Sequence, residues 1–265
     1  MNEYRGLVDV IIPVYNGEKT VARALQSVVD QDFGLVRKII VIDDGSKDAS
    51  VSAVFALGLE NIELVKTENR GVAAARNLGI ELACAEWVAF LDADDTWEPG
   101  KLAAHFSIPN EFDVGFIFSA TNLSTNRRSS YITVQMLSHS NFVATSSVLV
   151  KREVLEHAKP IFALGMAFAE DYLAWLKCLS ITSGYFFSEV FVNYHVSERP
   201  RYRWVLILRS LWRVNTLYAD FLRFEGVTLK ERLSIQCLLL IGSFRSILSI
   251  ANRFLKSGRK GKNHE

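Results

Sequence analysis

Three carboxylates stand within four positions at the end of an apolar run. Asp92, Asp94 and Asp95 follow residues 88–91 in the segment WVAFLDADDTWEPG. In an extended chain, side chains two residues apart point the same way, so Asp92 and Asp94 repel each other unless a cation lies between them. Mg²⁺ and Mn²⁺ prefer carboxylate oxygens, and Mg²⁺ is usually held by one or two carboxylates and the phosphates of a substrate. The pattern indicates metal-assisted chemistry on a phosphate, and an acidic turn that ends a strand is the simpler alternative.

Two further acidic pairs lie elsewhere in the chain. Asp43 and Asp44 end the run IIVIDD, where a carboxylate can accept a hydrogen bond from a nucleotide base or cap the next helix. Glu170 and Asp171 begin the helical pattern AEDYLAWLK, where helix capping is again the structural alternative. An ordinary aspartate is ionised at neutral pH, so Asp171 can accept a proton without an unusual environment.

Strand-sized apolar runs alternate with helical patterns over the first hundred residues. The patterns predict strands at 7–14, 38–43, 62–67 and 87–92, and helices at 19–30, 48–57 and 71–83. Such alternation predicts a mostly parallel sheet with helices on its faces and ligands at its carboxyl edge. Asp43 and Asp44 end one predicted strand, and Asp92 and Asp94 end another. The sheet therefore brings two acidic pairs to one edge.

Arg76 lies near the start of the predicted helix 71–83, which Gly71 opens. A helix N-terminus favours anions, and the small side chains before Arg76 let the helix approach the sheet closely. We expect Arg76 near the base or the diphosphate of a nucleotide, the alternative being an ordinary surface charge.

The pattern becomes less regular after residue 110. It predicts strands at 113–121, 142–150 and 184–196, and helices at 151–157, 169–179, 202–224 and 228–255. Residues 199–265 carry 14 Lys or Arg against 4 Asp or Glu, whereas residues 1–198 carry 16 against 25. We therefore expect a domain at 1–198 and a basic amphipathic helical extension at 199–265. The aromatic and basic side chains of the extension suit an anionic membrane surface; a solvated tail is the alternative, and no nucleic-acid motif is present.

Composition favours a protein with a substantial core in a reducing compartment. The chain has 265 residues, 49% of them hydrophobic. Cys84, Cys178 and Cys237 lie far apart without a CxxC pair, so neither a zinc site nor a disulfide framework is indicated. The longest uncharged apolar stretch near the end, 233–244, is shorter than the roughly 20 residues of a membrane span. We expect a cytoplasmic protein that is peripheral on the inner face of the membrane.

Five motifs over about residues 7 to 195 resemble the family 2 glycosyltransferases, which have the GT-A fold. They are VIIPVYNGEKTVARALQSV, IIVIDDGSKDAS, NRGVAAARNLGI, FLDADD and AEDYLAWLK, in the order and approximate spacing of that family. The resemblance implies an α/β fold with a mostly parallel central sheet flanked by helices. It also implies metal-dependent transfer of a sugar from a nucleoside diphosphate sugar to an acceptor hydroxyl, with inversion at the anomeric carbon.

The resemblance also implies a role for each motif. Asp92 and Asp94 would hold Mg²⁺ or Mn²⁺, and Asp94 is the more direct ligand while Asp92 faces the ribose or the metal. Asp171 would be the general base, with Glu170 as the fallback. The remaining donor contacts would come from Pro13, Val14, Tyr15, Asp43 or Asp44, and Arg76.

Two departures from the family pattern narrow the expected activity. The chain reads NYHVSER where many relatives have Arg after Tyr, so His195 either meets the diphosphate or metal or is a packed surface residue. Processive synthases of the family carry QxxRW and several membrane spans, whereas this chain reads PRYRW. We therefore expect a non-processive bacterial type that adds one sugar, preferably from a UDP-sugar, in surface polysaccharide or lipid-linked oligosaccharide synthesis.

Two other classes of function remain open at the level of sequence. One is a non-catalytic sugar-nucleotide-binding scaffold, against which the intact acidic motifs argue. The other is a nucleotidyltransferase, which usually has a Gly-rich, basic loop after its first strand. The segment PVYNGEKT has one Gly and one Lys, which is thin support for such a loop.

Overall fold

The computed structural model describes residues 6–31, 34–108, 113–124, 127–139, 141–166 and 169–195, together with 214, 216–219 and 222. The predicted helix 228–255 and most of the extension 199–265 lie outside these residues. No helix in the described part of the chain has the length and apolarity that crossing a bilayer requires.

The first half of the domain alternates strands and helices, as the apolar runs predict. Its elements are β1 (Val8–Val14), α1 (Val21–Val29), β2 (Val36–Asp43), α2 (Ser50–Phe55), β3 (Ile62–Lys66), α3 (Val72–Leu82) and β4 (Trp87–Phe90). Strand β1 pairs in parallel with both β2 and β4, and β2 pairs in parallel with β3. Parallel strands are covered on both faces and need continuous apolar runs, and every residue of β1 is buried.

The second half adds shorter elements and antiparallel strands. They are β5 (Thr96–Trp97), α4 (Lys101–Phe106), β6 (Val114–Thr121), β7 (Ser130–Ile132), α5 (Val134–Ser138), a 3₁₀ turn (Thr145–Ser147), β8 (Leu149–Lys151), α6 (Arg152–His157), α7 (Glu170–Ile181) and β9 (Ser183–Asn193). The strand order is β3-β2-β1-β4-β8-β6-β9-β5, with β7 paired to β9. Of the strands described, β5, β7 and β8 run antiparallel to their neighbours and the others share one direction.

The prediction of a strand at 142–150 is wrong over its first part. Thr145–Ser147 form a 3₁₀ turn, and β8 begins only at Leu149. Short hydroxyl side chains favour such turns because they hydrogen-bond to the local backbone, as Ser147 Oγ does by donating to the Ala144 carbonyl at 2.7 Å. The amide of Phe90 donates to the Val148 carbonyl at 3.2 Å, so the turn lies beside the end of β4.

Helices cover both faces of the sheet. Leu25 of α1 and Leu102 of α4 pack on one face, and Ile80 of α3 and Trp175 of α7 pack on the other. A Cβ added to Gly79 would lie 2.4 Å from Ile11 Cγ2, so glycine allows α3 to approach β1 closely. Because α3 follows the parallel strand β3, its start lies at the carboxyl edge of the sheet.

Three residues of the C-terminal segment belong to the core of the domain. Val214, Tyr218 and Leu222 are spaced four apart, as on one face of a helix, and are buried in the same apolar cluster as α7. The Tyr218 hydroxyl lies 2.5 Å from Ser180 Oγ on α7. At these positions the chain packs against the domain itself.

Candidate active site

The three aspartates of the acidic loop after β4 occupy two kinds of environment. Asp95 is buried, and its carboxylate accepts hydrogen bonds from Ser146 Oγ at 2.5 Å and from the His195 amide at 2.9 Å. Asp92 and Asp94 are only partly buried. Asp95 therefore has a structural role, and Asp92 and Asp94 remain at the open edge of the sheet.

Crowded negative charge marks this loop. Burial, followed by the charge of Asp92, raises the pKa of Asp94 above its ordinary value. The Arg23 guanidinium of α1 donates to the backbone carbonyl of Asp94 at 2.7 Å, not to its carboxylate. Among the described residues, no side chain forms a hydrogen bond with the Asp94 carboxylate. A cation between Asp92 and Asp94 would relieve this repulsion.

The donor set fits a divalent ion that is completed by a substrate. Among the described residues, no group of three or more His, Cys, Asp or Glu side chains could hold a metal by itself. Mg²⁺ is usually held by one or two carboxylates and the phosphates of a substrate. Asp92 and Asp94 match this arrangement.

Arg76 connects two of the predicted motifs. Its guanidinium is buried, and it contacts Asp92 Oδ1 at 2.6 Å and Glu170 Oε1 at 3.4 Å. Burial acts to lower the pKa of Arg76, but the charge and hydrogen bond of Asp92 outweigh it and raise the pKa. The Phe162 ring lies 5.3 Å from the guanidinium carbon and closes its far side. Arg76 thus joins the end of β4 to the start of α7.

The start of α7 presents two carboxylates that differ in their partners. Ala169, before the helix, has a φ of 65°, a left-handed conformation that costs a non-glycine residue energy and turns the chain sharply into the helix. Glu170 is paired with Arg76, whereas Asp171 Oδ1 accepts only the Tyr172 amide at 2.7 Å among the described residues. Burial, then the charge of Glu170, raises the pKa of Asp171 to about 6.

The end of β2 distinguishes Asp43 from Asp44, although both are buried. The two oxygens of Asp44 accept the amides of Arg70 and Gly71, each at 2.8 Å, and so fix the loop that leads into α3. Asp43 accepts the Ser46 amide at 3.1 Å through Oδ1, and its Oδ2 has no hydrogen-bond partner among the described residues. Asp43 thus has an oxygen available to a ligand.

The predicted contacts after β1 occupy different environments. Pro13 and Val14 are buried within the strand, whereas Tyr15 is 51% exposed at the edge. The next residue, Asn16, has a φ of 53°, and its amide donates to Ser46 Oγ at 2.9 Å, which ties this loop to the loop after β2. Of the three predicted contacts, Tyr15 has the exposed side chain.

These groups share one edge of the sheet. Strand β1 lies between β2 and β4, so the ends of β2 and β4 are two strand spacings apart, about 10 Å. The structure brings Arg76, Asp92 and Glu170 into direct contact, with Asp171 next to Glu170. Asp43 lies at the other end of this surface.

The family whose description is "Glycosyl transferase family 2" matches residues 9–151, more than half of the chain. The chain belongs to glycosyl transferase family 2. Among curated relatives, Escherichia coli WfgD, a UDP-Glc:alpha-D-GlcNAc-diphosphoundecaprenol beta-1,3-glucosyltransferase, is 28% identical over 184 residues, which are 68% of this chain and 71% of WfgD.

Two solved glycosyltransferase structures share the fold. S. aureus TarS in complex with UDP-GlcNAc matches with a TM-score of 0.74 at 20% identity, over 90% of this chain and 72% of TarS. Mannosyltransferase PcManGT from Pyrobaculum calidifontis, in complex with GDP-Man and Mn²⁺, matches with a TM-score of 0.64 at 22% identity, over 97% and 81%. The predicted GT-A fold is confirmed.

Two residues that follow β9, Tyr194 and His195, lie near the candidate site of this glycosyltransferase. His195 is exposed, and its charge acts to lower the pKa of Asp94, which places it near that carboxylate. Burial, then the charges of Asp92, Asp95, Asp94 and Asp171, raises the pKa of Tyr194 to about 12. Tyr194 therefore lies near the acidic edge, although the sequence did not predict it as a site residue; its position beside His195 at a strand end was the available signal.

Proposed function

We propose that this glycosyltransferase uses Mg²⁺ or Mn²⁺ to transfer one sugar, with inversion, from a UDP-sugar to a saccharide or lipid-linked saccharide. The main support is the contact of Arg76 with both Asp92 and Glu170, because it joins a candidate metal ligand to the residue beside the candidate base Asp171. The UDP-sugar named for WfgD and the UDP-GlcNAc bound to TarS support the donor. The diphosphoundecaprenol-linked acceptor in the name of WfgD supports a role in lipid-linked oligosaccharide or surface polysaccharide synthesis.

Asp94 and Asp92 would hold the divalent ion. When bound, the ion supplies positive charge that stabilises the departing diphosphate. The Mn²⁺ bound to PcManGT supports this use of a metal. Arg76 orients Asp92 through their hydrogen bond, and His195, whose charge acts on Asp94, would meet the same diphosphate.

Asp171 serves as the general base in this proposal. The acceptor oxygen bonds to the anomeric carbon while its proton passes to the Asp171 carboxylate. The bond between the anomeric carbon and the diphosphate oxygen breaks, and its electron pair leaves with the UDP. A single displacement of this kind inverts the anomeric carbon. Glu170 is held by Arg76, which leaves Asp171 as the carboxylate available to the acceptor.

The rate of transfer should depend on pH through Asp171. The pKa of this group is raised to about 6, and the base must be ionised, so kcat should rise as the pH rises through about 6 and then level off. Initial rates at saturating donor and acceptor, measured from pH 4.5 to 8, test this. A profile that is flat over this range, or whose acidic midpoint lies near the ordinary aspartate value of about 3.9, would exclude this role for Asp171.

Asp43, rather than Asp44, should recognise the base. A carboxylate can accept the N–H of uracil, whereas cytosine has an acceptor at that ring position, so the wild type should prefer UDP to CDP. Asp43→Asn should weaken UDP binding by about 10- to 100-fold, the cost of a hydrogen bond to a charged group. Calorimetric titration with UDP and CDP measures both effects.

Asp44→Asn is the matched variant for this comparison. It disturbs the backbone hydrogen bonds to Arg70 and Gly71, so its main expected effect is a lower melting temperature. If Asp43→Asn retained both the affinity for UDP and the preference over CDP, the base would be recognised by another group.

The basic extension 199–265 would hold the enzyme on the inner face of the membrane, near a lipid-linked acceptor. The support is its 14 Lys or Arg against 4 Asp or Glu. Replacing Lys256, Arg259, Lys260 and Lys262 with alanine should reduce co-sedimentation with vesicles that contain an anionic lipid. Unchanged binding at low ionic strength would exclude these charges as the anchor.

The direct test of the activity is transfer from a panel of donors. UDP-Glc, UDP-GlcNAc and GDP-Man are incubated with Mn²⁺ and a saccharide-diphosphopolyprenol acceptor, and the product is identified by mass spectrometry. One UDP-sugar is expected to give a product that is larger by a single sugar. Transfer from GDP-Man alone would contradict the proposed donor class.

A further inference from the structure

The hydroxyl of Ser146 contacts both ends of the acidic loop. The Asp92 amide donates to Ser146 Oγ at 3.1 Å, and Ser146 Oγ donates in turn to Asp95 Oδ2 at 2.5 Å. Asp94, one of the two candidate metal ligands, lies between these two attachment points in the chain. The buried Ser146 hydroxyl, 54 positions from Asp92 and 51 from Asp95 in the sequence, thus connects the two ends of the loop.

Ser146 is itself fixed in place from another direction. It is fully buried in the 3₁₀ turn Thr145–Ser147, and the indole N–H of Trp97 donates to its carbonyl at 2.7 Å. Trp97 is 3% exposed, and its amide donates to Ser27 Oγ of α1 at 3.1 Å. The hydroxyl therefore has little freedom to follow a movement of the loop, so the loop must conform to it.

We infer that Ser146 is a positioning residue that sets the separation of the Asp92 and Asp94 carboxylates, and with it the affinity for the divalent ion. This inference rests on the proposed metal-dependent function. Ser146 contacts the loop and not the substrate. Mg²⁺ demands near-ideal octahedral geometry, and groups that orient metal ligands commonly contribute 10- to 100-fold to metal affinity.

Removing the hydroxyl should loosen the loop without unfolding the domain. Ser146→Ala leaves the Asp92 amide and one Asp95 oxygen without this partner. The Asp95 amide still donates to the Asp92 carbonyl at 3.0 Å, and the His195 amide still donates to Asp95 at 2.9 Å. We therefore expect the acidic loop to keep its turn, with the carboxylates of Asp92 and Asp94 held less firmly.

Ser147→Ala is the matched control. Ser147 belongs to the same turn and is equally buried, but its hydroxyl donates to the Ala144 carbonyl and forms no hydrogen bond with the acidic loop among the described residues. Each variant removes one buried hydroxyl from the same 3₁₀ turn. A general loss of stability should therefore affect the two alike, whereas an effect on the acidic loop should appear only in Ser146→Ala.

The test compares UDP binding by calorimetry, with Mn²⁺ and with EDTA, for the full-length wild type and the two variants. Ser146→Ala should weaken UDP binding in Mn²⁺ by about tenfold or more and leave the affinity in EDTA unchanged. Ser147→Ala should stay within about twofold of the wild type in both conditions. Wild-type affinity of Ser146→Ala in Mn²⁺, or an equal loss in Ser147→Ala, would overturn the inference.

Hydrogen exchange of the Asp92 amide gives a readout that needs neither nucleotide nor metal. Exchange should accelerate about tenfold or more in Ser146→Ala and not in Ser147→Ala, since only the first loses the acceptor of this amide. Unchanged exchange in Ser146→Ala would overturn the inference, whether or not the wild type binds UDP. Absence of UDP binding by the wild type would refute the proposed function separately. If Ser146→Ala did not fold, the wild type alone would provide the test. An Asp92 amide that exchanges in the wild type as fast as an exposed loop amide would overturn the inference.

Discussion

Asp171→Asn is expected to lower kcat by about 10²- to 10⁴-fold, the usual contribution of a general base. Asparagine has nearly the same shape and keeps an oxygen for the Tyr172 amide, so the start of α7 should be preserved. The amide cannot take the proton of the acceptor hydroxyl. UDP affinity in Mn²⁺ should stay within about threefold of the wild type, because Asp171 does not contact the nucleotide in this account. Initial rates and calorimetry on the same sample measure both quantities.

Glu170→Gln separates the base from its neighbour. Glu170 is paired with Arg76, so its loss should disturb the orientation of Asp92 and weaken donor binding rather than remove proton transfer. The acidic limb of the rate profile should persist in Glu170→Gln and vanish in Asp171→Asn. If Glu170→Gln abolished turnover while Asp171→Asn retained it, Glu170 would be the base.

Asp94→Asn is expected to remove most of the metal-dependent part of nucleotide binding. Groups that only orient metal ligands contribute 10- to 100-fold to affinity, so loss of a ligand itself should weaken UDP binding in Mn²⁺ by about 100-fold or more. In EDTA the variant and the wild type should bind UDP alike. Removing a crowded carboxylate with a raised pKa should also leave the melting temperature unchanged or slightly higher.

Asp113→Ala is the control for charge alone. Its side chain is 93% exposed, and its ion pair with Lys151 spans 3.3 Å at the surface, where such pairs contribute little. UDP binding should be unaffected in Mn²⁺. Retention of Mn²⁺-dependent UDP binding by Asp94→Asn would remove this residue from the metal site and leave Asp92 as the candidate ligand.

The parallel half of the fold was predictable because its signals are local. Each of the strands β1 to β4 is an apolar run, and the intervening helices carry their own periodicity. Elements of few residues, such as β5 and α5, are too short for a period to emerge. The segment 142–150 misled because Thr145–Ser147 combine strand-forming composition with hydroxyls that satisfy a turn.

The sequence indicates candidate site residues but not the hydrogen bonds that position them. Spacing indicates Asp92 and Asp94, the helix N-terminus indicates Arg76, and the resemblance indicates Asp171 as the base. No local signal shows that Asp95 is buried beneath Ser146, since their contact joins positions 51 residues apart. The same holds for Asp44, whose loop partners lie beyond the next strand. Such roles depend on tertiary hydrogen bonds, which a single sequence does not record.

We propose that the carboxyl edge of this sheet binds a nucleoside diphosphate through a divalent ion. Calorimetric titration of UDP into the wild-type protein, with Mn²⁺ and with EDTA, and of GDP under the same conditions, tests it most directly. We expect UDP to bind about 100-fold or more tighter with Mn²⁺ than with EDTA, and to be clearly preferred over GDP. UDP binding that is the same in EDTA, or absent from a folded sample, would contradict it.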